Sequence, residues 1–284
     1  MHGGSNPVFS FEFFPPKTPE AADRLIGTIA ELKQVHAPDY VSVTYGAGGT
    51  TRERTIEIVG RIQSELRIET VAHLTCVGHA EGELHGIVER LQGKGIDNIL
   101  ALRGDPPQGE TVFVQPEGGF GHASDLAAFL RAEFEVDVAG ACYPESHPES
   151  KTYMDDLRWT KHKVEQGVSV LTTQLFFDNK DYFGFVERAR NVGIGVPIVP
   201  GIMPITNVSQ IERFTQLCGA RIPEELRARL VRYRDEPEIV MATGIEWAIL
   251  QCRQLLERGA PGIHFYTLNK SHATRSIMAA LRRL

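Results

Sequence analysis

Residues Phe9 to Thr18 read FSFEFFPPKT: alternating phenylalanines, one acidic residue among them, and two prolines that end the run. A strand puts successive side chains on opposite faces, so Phe9, Phe11 and Phe13 share one face and Ser10, Glu12 and Phe14 the other. Pro15 and Pro16 have no N–H to offer a sheet and stop the strand there. Glu12 is then either a solvated edge residue or a carboxyl group in surroundings kept apolar by the phenylalanines. The second setting disfavours ionisation and raises the carboxyl pKa, as a general acid working near neutral pH requires.

The same unit, a short strand ending in polar, glycine or proline residues and then a helix, recurs outward from this stretch. Pro19 to Leu32 carries Ala22, Leu25, Ile26, Ile29 and Leu32 at helical spacing. Tyr40 to Tyr45 alternates with period two and runs into Gly46, Gly48 and Gly49, ahead of a helix over 55–66. Further strands are predicted over 71–77, 99–105, 136–143, 169–177, 196–203 and 262–268. Helices are predicted over 83–91, 125–134, 151–166, 182–191, 210–217, 223–233, 238–256 and from Ser271 onward. Eight strand-then-helix units fill the chain without a linker, a repeat or a low-complexity tract. This predicts an α/β fold, one (β/α)8 TIM barrel over residues 1–284. A doubly wound open sheet is the alternative, but it gathers ligand residues at one switch point, whereas here polar residues end nearly every strand.

The chain has 284 residues, 42% of them hydrophobic, and a formal net charge of -6. That is long enough for an extensive core, and its mild acidity argues against a nucleic-acid partner. No basic segment followed by an apolar run opens the chain, and no stretch has the length to span a bilayer. Cys76, Cys142, Cys218 and Cys252 are widely spaced with no CxxC, so a reduced, cytoplasmic protein is expected.

The predicted strand ends carry Glu12; Thr44 and Tyr45; His73 and Thr75; Arg103 and Asp105; Tyr143; Gln174; and Tyr266 with Asn269. Each has an ordinary explanation alone: a histidine satisfied in a core, a strand threonine, an Arg103–Asp105 ion pair, a glutamine on a rim backbone group. Together they form a polar ring at the face where such barrels carry their sites. No HExxH motif or cysteine cluster points to a metal, and no GxSxG elbow announces a nucleophile. The GAGG run at 46–49 is a turn first and a phosphate cradle second. Lys161, His162 and Lys163 form either a solvated face or, with His147 and Asp156, a holder for a dinucleotide's phosphates and ribose.

The runs SFEFFPPKT, VSVTYGAGG, HLTC, ALRGDPP, YPESHPE, TTQLFFD, PGIMPITN and HFYTLNK occur in this order between Phe9 and Lys270. Together they resemble the methylenetetrahydrofolate reductases, a (β/α)8 barrel family. The resemblance implies reduction of 5,10-methylenetetrahydrofolate to 5-methyltetrahydrofolate with hydride from NADH or NADPH, usually through bound FAD, in one-carbon metabolism and methionine biosynthesis. Eukaryotic members add a C-terminal regulatory domain that binds S-adenosylmethionine. This chain is similar to the short bacterial type, so no such domain is expected, and a homo-oligomer is compatible with the reading.

The resemblance implies that Glu12 is the general acid for opening the methylene bridge, and that Asp105 bonds the pterin and stabilises the cation formed. Gln174, Gln210, Phe214, Tyr266 and Lys270 fall on the substrate side. Thr44, Ala47, His73, Arg103, Gly104, Ala123, Ala141, Tyr143, His147, Asp156 and Lys163 fall on positions that contact FAD or NAD(P)H. Two positions depart from the family pattern. Lys270 replaces an arginine, keeping the charge without the bidentate fork. Trp159 stands where asparagine is usual, and its bulky indole, with one donor and no acceptor, weighs against tight FAD binding. Hydride then has two routes, through a flavin or directly from nicotinamide to folate. Glu53 and Glu57 are either extra carboxylates for the direct route or surface helix residues. The competing readings are a folate-binding barrel without chemistry and another barrel enzyme of one-carbon metabolism.

Overall fold

The computed structural model describes residues 6–46, 52–106, 109–110 and 112–281. β1 (Val8–Phe13) ends before the prolines, and Thr18 then caps α1 (Pro19–Val35), its hydroxyl accepting the Ala21 N–H. Pro19 at the first helical position has no N–H to leave unsatisfied. β2 (Tyr40–Val43), β3 (Glu69–Thr75), β4 (Asn98–Leu102), β5 (Asp137–Cys142) and β6 (Val170–Thr173) follow in parallel register. The helices between them are α2 (Arg52–Arg61), which runs into a π turn at Ile62–Leu66, α3 (Glu81–Gln92), α4 (Ala123–Glu133) and α5 (Tyr153–Glu165). After α6 (Asn179–Asn191) come β7 (Ile198–Val199) and β8 (Gly201–Ile202). α7 (Val208–Cys218), α8 (Glu224–Arg232), α9 (Pro237–Glu257), β9 (Gly262–Tyr266) and α10 (His272–Leu281) complete the chain.

The sheet runs β7-β6-β5-β4-β3-β2-β1-β9-β8, all parallel among the described residues. The segment 196–203, expected as one strand, is two, because Pro200 has no N–H to continue the ladder. β7 pairs with β6 and β8 with β9, so the two pieces act as one interrupted stave that closes the barrel. The Pro200 carbonyl still accepts the His264 N–H at 2.9 Å. The nine strands are thus the eight staves of a (β/α)8 barrel.

Strand register sorts the side chains. Ser10 and Glu12 stand beside Tyr40 and Ser42 of β2 and beside His264 and Tyr266 of β9, on the interior face. Phe11 and Phe13 point outward and are fully buried in one cluster with Leu25, Ile29 and Leu32 of α1, with Phe11 tilted against Phe265 at 6.0 Å. Each such buried phenylalanine contributes about 1.5–3 kcal/mol. The phenylalanines therefore anchor the wall to its helices and do not surround Glu12, which corrects the expectation of an apolar setting for that carboxyl. Asn269, expected at the mouth, clasps the β1–β9 seam: its Oδ1 accepts the Phe14 N–H at 2.7 Å and its Nδ2 donates to the Phe14 carbonyl at 3.0 Å. Among the described residues no helix is long and apolar enough to cross a membrane.

Candidate active site

Inside the barrel, Glu12 meets two imidazoles. His264 Nε2 lies 3.3 Å from Glu12 Oε2 and within its hydrogen-bonding geometry. His73 Nε2 lies 3.3 Å from the same oxygen but off the line of a hydrogen bond, a buried nitrogen without a partner among the described residues. Burial by itself pushes the Glu12 carboxyl up, yet the His73 charge, with the hydrogen bond and charge of His264, outweighs it and holds the group at about 2. The raised pKa expected from the sequence is overturned: two facing imidazoles stabilise the charged form more than burial penalises it. Ser42 Oγ and Thr75 Oγ1 are likewise buried and unpartnered among the described residues.

Beside this cluster opens a cavity of about 590 Å³ between the ends of β4 and β5 and the helices α4 and α5. Cofactor sites run from roughly 300 to 1,000 Å³, so its size fits a nucleotide. Arg103, Ala123, Ala141, Tyr143, His147, Asp156 and Lys163, seven of the positions implied for the cofactor, line it. Several of its charged groups are already engaged. Arg103 donates to both oxygens of Glu149 at 2.5 and 2.8 Å, which replaces the Arg103–Asp105 pair considered from sequence, and its guanidinium lies over Phe113 at 5.1 Å. Lys163 donates to the Ala141 carbonyl, and burial lowers its pKa. Buried Asp156, raised by that burial, accepts from Ser150 Oγ at 3.2 Å. The His147 ring meets Tyr143 edge-on at 4.6 Å. On the lip, Trp159 is 53% exposed and lies flat on His122, ring centroids 5.4 Å apart and planes 7° apart.

The remaining expected residues are distributed around the mouth. Thr44 follows β2, and its carbonyl accepts the Thr55 hydroxyl at 3.0 Å. Gly104 adopts φ +87, and a Cβ there would meet Val77 Cγ1 at 2.6 Å, so only glycine fits. Asp105 is exposed at the rim, close enough for its charge to raise Tyr143. Gln174 Oε1 accepts the Leu175 N–H at 2.8 Å, the rim-capping role considered from sequence. The Tyr266 hydroxyl donates to the Thr173 carbonyl at 2.6 Å, so the ring is the surface it offers. Tyr266 and Lys270 line a second, small cleft of about 40 Å³. Gln210 and Phe214 lie one turn apart on α7. Ala47 lies outside the described residues. Glu53 is exposed and forked by Arg90, and Glu57 is exposed, so both take the surface-helix reading. His264, Glu149 and His122 went unmarked in the sequence; alternation backward from Tyr266 was the signal that pointed to His264.

Fold and site together define a (β/α)8 barrel with a titratable cluster inside its mouth and a nucleotide-sized cavity beside it. The chain belongs to the methylenetetrahydrofolate reductase family: the family model described as Methylenetetrahydrofolate reductase matches residues 2–282. It is similar to "Methylenetetrahydrofolate reductase (NADH) 1" of Arabidopsis thaliana, 40% identical over 287 residues that cover 96% of this chain and 48% of that protein. It is also similar to "5,10-methylenetetrahydrofolate reductase" of Escherichia coli (strain K12), 37% identical over 272 residues, 96% of this chain and 90% of that one. The chain thus spans about half the length of the plant relative and most of the bacterial one. Among solved structures, an uncharacterized protein from Clostridium thermocellum that binds two copies of 5-methyl-5,6,7,8-tetrahydrofolic acid shares the fold. Its TM-score is 0.61 at 15% identity, covering 96% of this chain and 94% of that one.

Proposed function

We propose that this chain reduces 5,10-methylenetetrahydrofolate to 5-methyltetrahydrofolate at the barrel mouth, with hydride from NADH or NADPH and Glu12 as the proton donor. The observation that carries the reading is Glu12 held between His73 and His264 beside a cavity of nucleotide size. The substrate's methylene carbon bridges N5 and N10. Opening that bridge leaves a cation at N5 and makes N10 a leaving amine, which departs only if it gains a proton.

The two facing imidazoles favour the charged form of Glu12 in the free protein, so the carboxyl group must gain a proton before it can pass one to N10. Folate settling over the mouth excludes water, which disfavours the carboxylate and draws a proton onto it. Asp105, negative at the rim, stabilises the cation at N5. With its Oε1 on the Leu175 N–H, Gln174 keeps its amide N–H groups for the pterin. Gln210 and Phe214 present one polar and one aromatic contact from the same turn of α7, and Lys270 offers a charge to the glutamate end.

The cavity residues fit a dinucleotide: Arg103 and Lys163 suit its phosphates and Asp156 its ribose hydroxyls. Such a group supplies hydride when bound. Bound FAD gives flavin absorption in the purified chain; a colourless chain that oxidises NADH only with folate present passes hydride directly, as Trp159 on the lip favours. The plant relatives carry NADH in their names, which makes NADH the donor of choice. Four free cysteines fit a reducing, cytoplasmic setting. Loss of nicotinamide absorbance on adding 5,10-methylenetetrahydrofolate tests the reading, and folate binding without that loss contradicts it.

A further inference from the structure

We propose that Glu145 is a positioning residue that seats the end of α7, and with it Phe214, against the loop lining the nucleotide-sized cavity. The proposal rests on the reductase reading above, in which Gln210 and Phe214 of α7 contact folate, and names what holds that helix in place. α7 has little of its own to hold it. Of its 11 residues only Val208 and Ile211 are buried, and both lie in its first half. Asn207 caps that same end, its side chain accepting the Gln210 N–H at 2.8 Å. Val208 and Ile211 join a small apolar cluster with Ile205, Leu226 and Leu230, separate from the main core. The second half, from Phe214 to Cys218, is half-buried or exposed, with Leu217 68% exposed. A surface helix is ordinarily fixed by an apolar stripe along its length, so the far end of α7 needs another anchor.

That anchor is polar. α7 ends at Gly219, whose φ of +75 turns the chain back, and a Cβ there would stand 3.5 Å from Pro148 Cγ. Two residues on, the Arg221 N–H donates to both oxygens of Glu145 at 3.1 and 3.3 Å, and Arg221 Nε donates to Oε1 at 2.8 Å. Arg221 Nη2 also donates to Asp181 Oδ1 of α6 at 3.0 Å. The Arg221 side chain is 75% exposed, so its ion pairs alone contribute little. Glu145 is different: its side chain is 9% exposed, and burial pushes its carboxyl up against the Arg221 hydrogen bonds that favour its charge. A second tie on α7, Arg234 to Glu212, joins two exposed side chains. Glu145 shares its loop with Tyr143, His147 and Glu149, which line the cavity, but turns to α7 instead. Ser146, a non-glycine residue at φ +81, separates the two directions. One loop therefore faces the nucleotide cavity with one set of side chains and holds the folate helix with another.

The test measures binding of 5-methyltetrahydrofolate and of NADH, each alone, by calorimetry to the full chain and to E145A, E145Q and R221A, with a thermal melt of each. E145A leaves the Arg221 N–H without its partner and is expected to weaken 5-methyltetrahydrofolate roughly tenfold, the scale of one buried hydrogen-bond partner lost. E145Q still accepts that N–H through its amide oxygen, and R221A keeps the backbone bond, so each should stay within about threefold of wild type. NADH affinity and melting temperature stay at wild-type values in all three, because the seat fixes one helix end and not the barrel core. Where E145A does not fold, E145D decides in its place, its carboxylate drawn back from Arg221 and the same loss expected. Wild-type folate affinity in E145A overturns the seat while leaving the reductase reading standing. So does a loss shared equally by NADH, or a lowered melting temperature with folate affinity kept. A wild-type chain that binds no folate overturns the reductase reading, and the seat's role with it.

Discussion

Glu12 on β1 and His73 on β3 meet inside the barrel, Oε2 to Nε2 at 3.3 Å, although β2 separates their strands. That contact, with its counterpart from His264, decides the charge of the site. A carboxyl held at about 2 against an ordinary 4.5 contributes stability that is fully present above about pH 4.5 and lost as pH falls through 2. Urea melts across this range will show wild-type stability falling with pH more steeply than that of E12Q, which lacks the titrating group. Parallel pH curves for the two proteins would contradict the assignment.

Replacing Glu12 by glutamine also removes the proton donor while keeping the shape. Turnover of 5,10-methylenetetrahydrofolate is expected to fall roughly 100- to 10,000-fold, the usual contribution of a general acid. Folate affinity, measured by calorimetry, should change little. A variant that keeps most of its turnover would remove Glu12 from the reaction.

Arg103 is tied to Glu149 in the nucleotide-sized cavity, so a bound pyrophosphate must compete with that carboxylate. E149Q frees the guanidinium. The pair is partly exposed, so the expected gain is modest, about 1 kcal/mol or roughly a fivefold lower Kd for NADH. Weaker binding in E149Q would show that Glu149 contacts the ligand itself.

Gly201 sits where an added Cβ would lie 2.4 Å from the Thr173 carbonyl and 2.6 Å from the Tyr266 ring. G201A forces Tyr266 off the Thr173 carbonyl. It should cost about 1–3 kcal/mol in denaturant melts and raise the folate KM, as overpacking displaces a mouth residue. A melt and KM like wild type would mean that the interrupted stave yields freely.

The barrel is legible in the sequence because strand alternation, helical spacing and turn residues all repeat with one period. The interior face of β1 follows from parity alone, and the period-two rule put Ser10 and Glu12 together. Pro200 marked the weak strand, but not how it divides: one half serves β6 and the other β9. The setting of Glu12 was not legible, because His73 and His264 arrive from strands whose approach depends on barrel closure. His264 lies 254 residues from its Ser10 partner. The Arg103 pairing with Glu149 was hidden similarly, by a loop that folds back over 46 residues, while nearby Asp105 stays at the rim. Polar side chains at strand ends can be collected from a sequence, but which of them neutralise one another is decided by closure of the fold.

The most direct measurement follows NADH oxidation and folate product together in the purified chain supplied with 5,10-methylenetetrahydrofolate. Nicotinamide absorbance is expected to fall in step with the appearance of 5-methyltetrahydrofolate, one for one. Folate that binds with no oxidation of NADH or NADPH would contradict it and leave a binding barrel without chemistry.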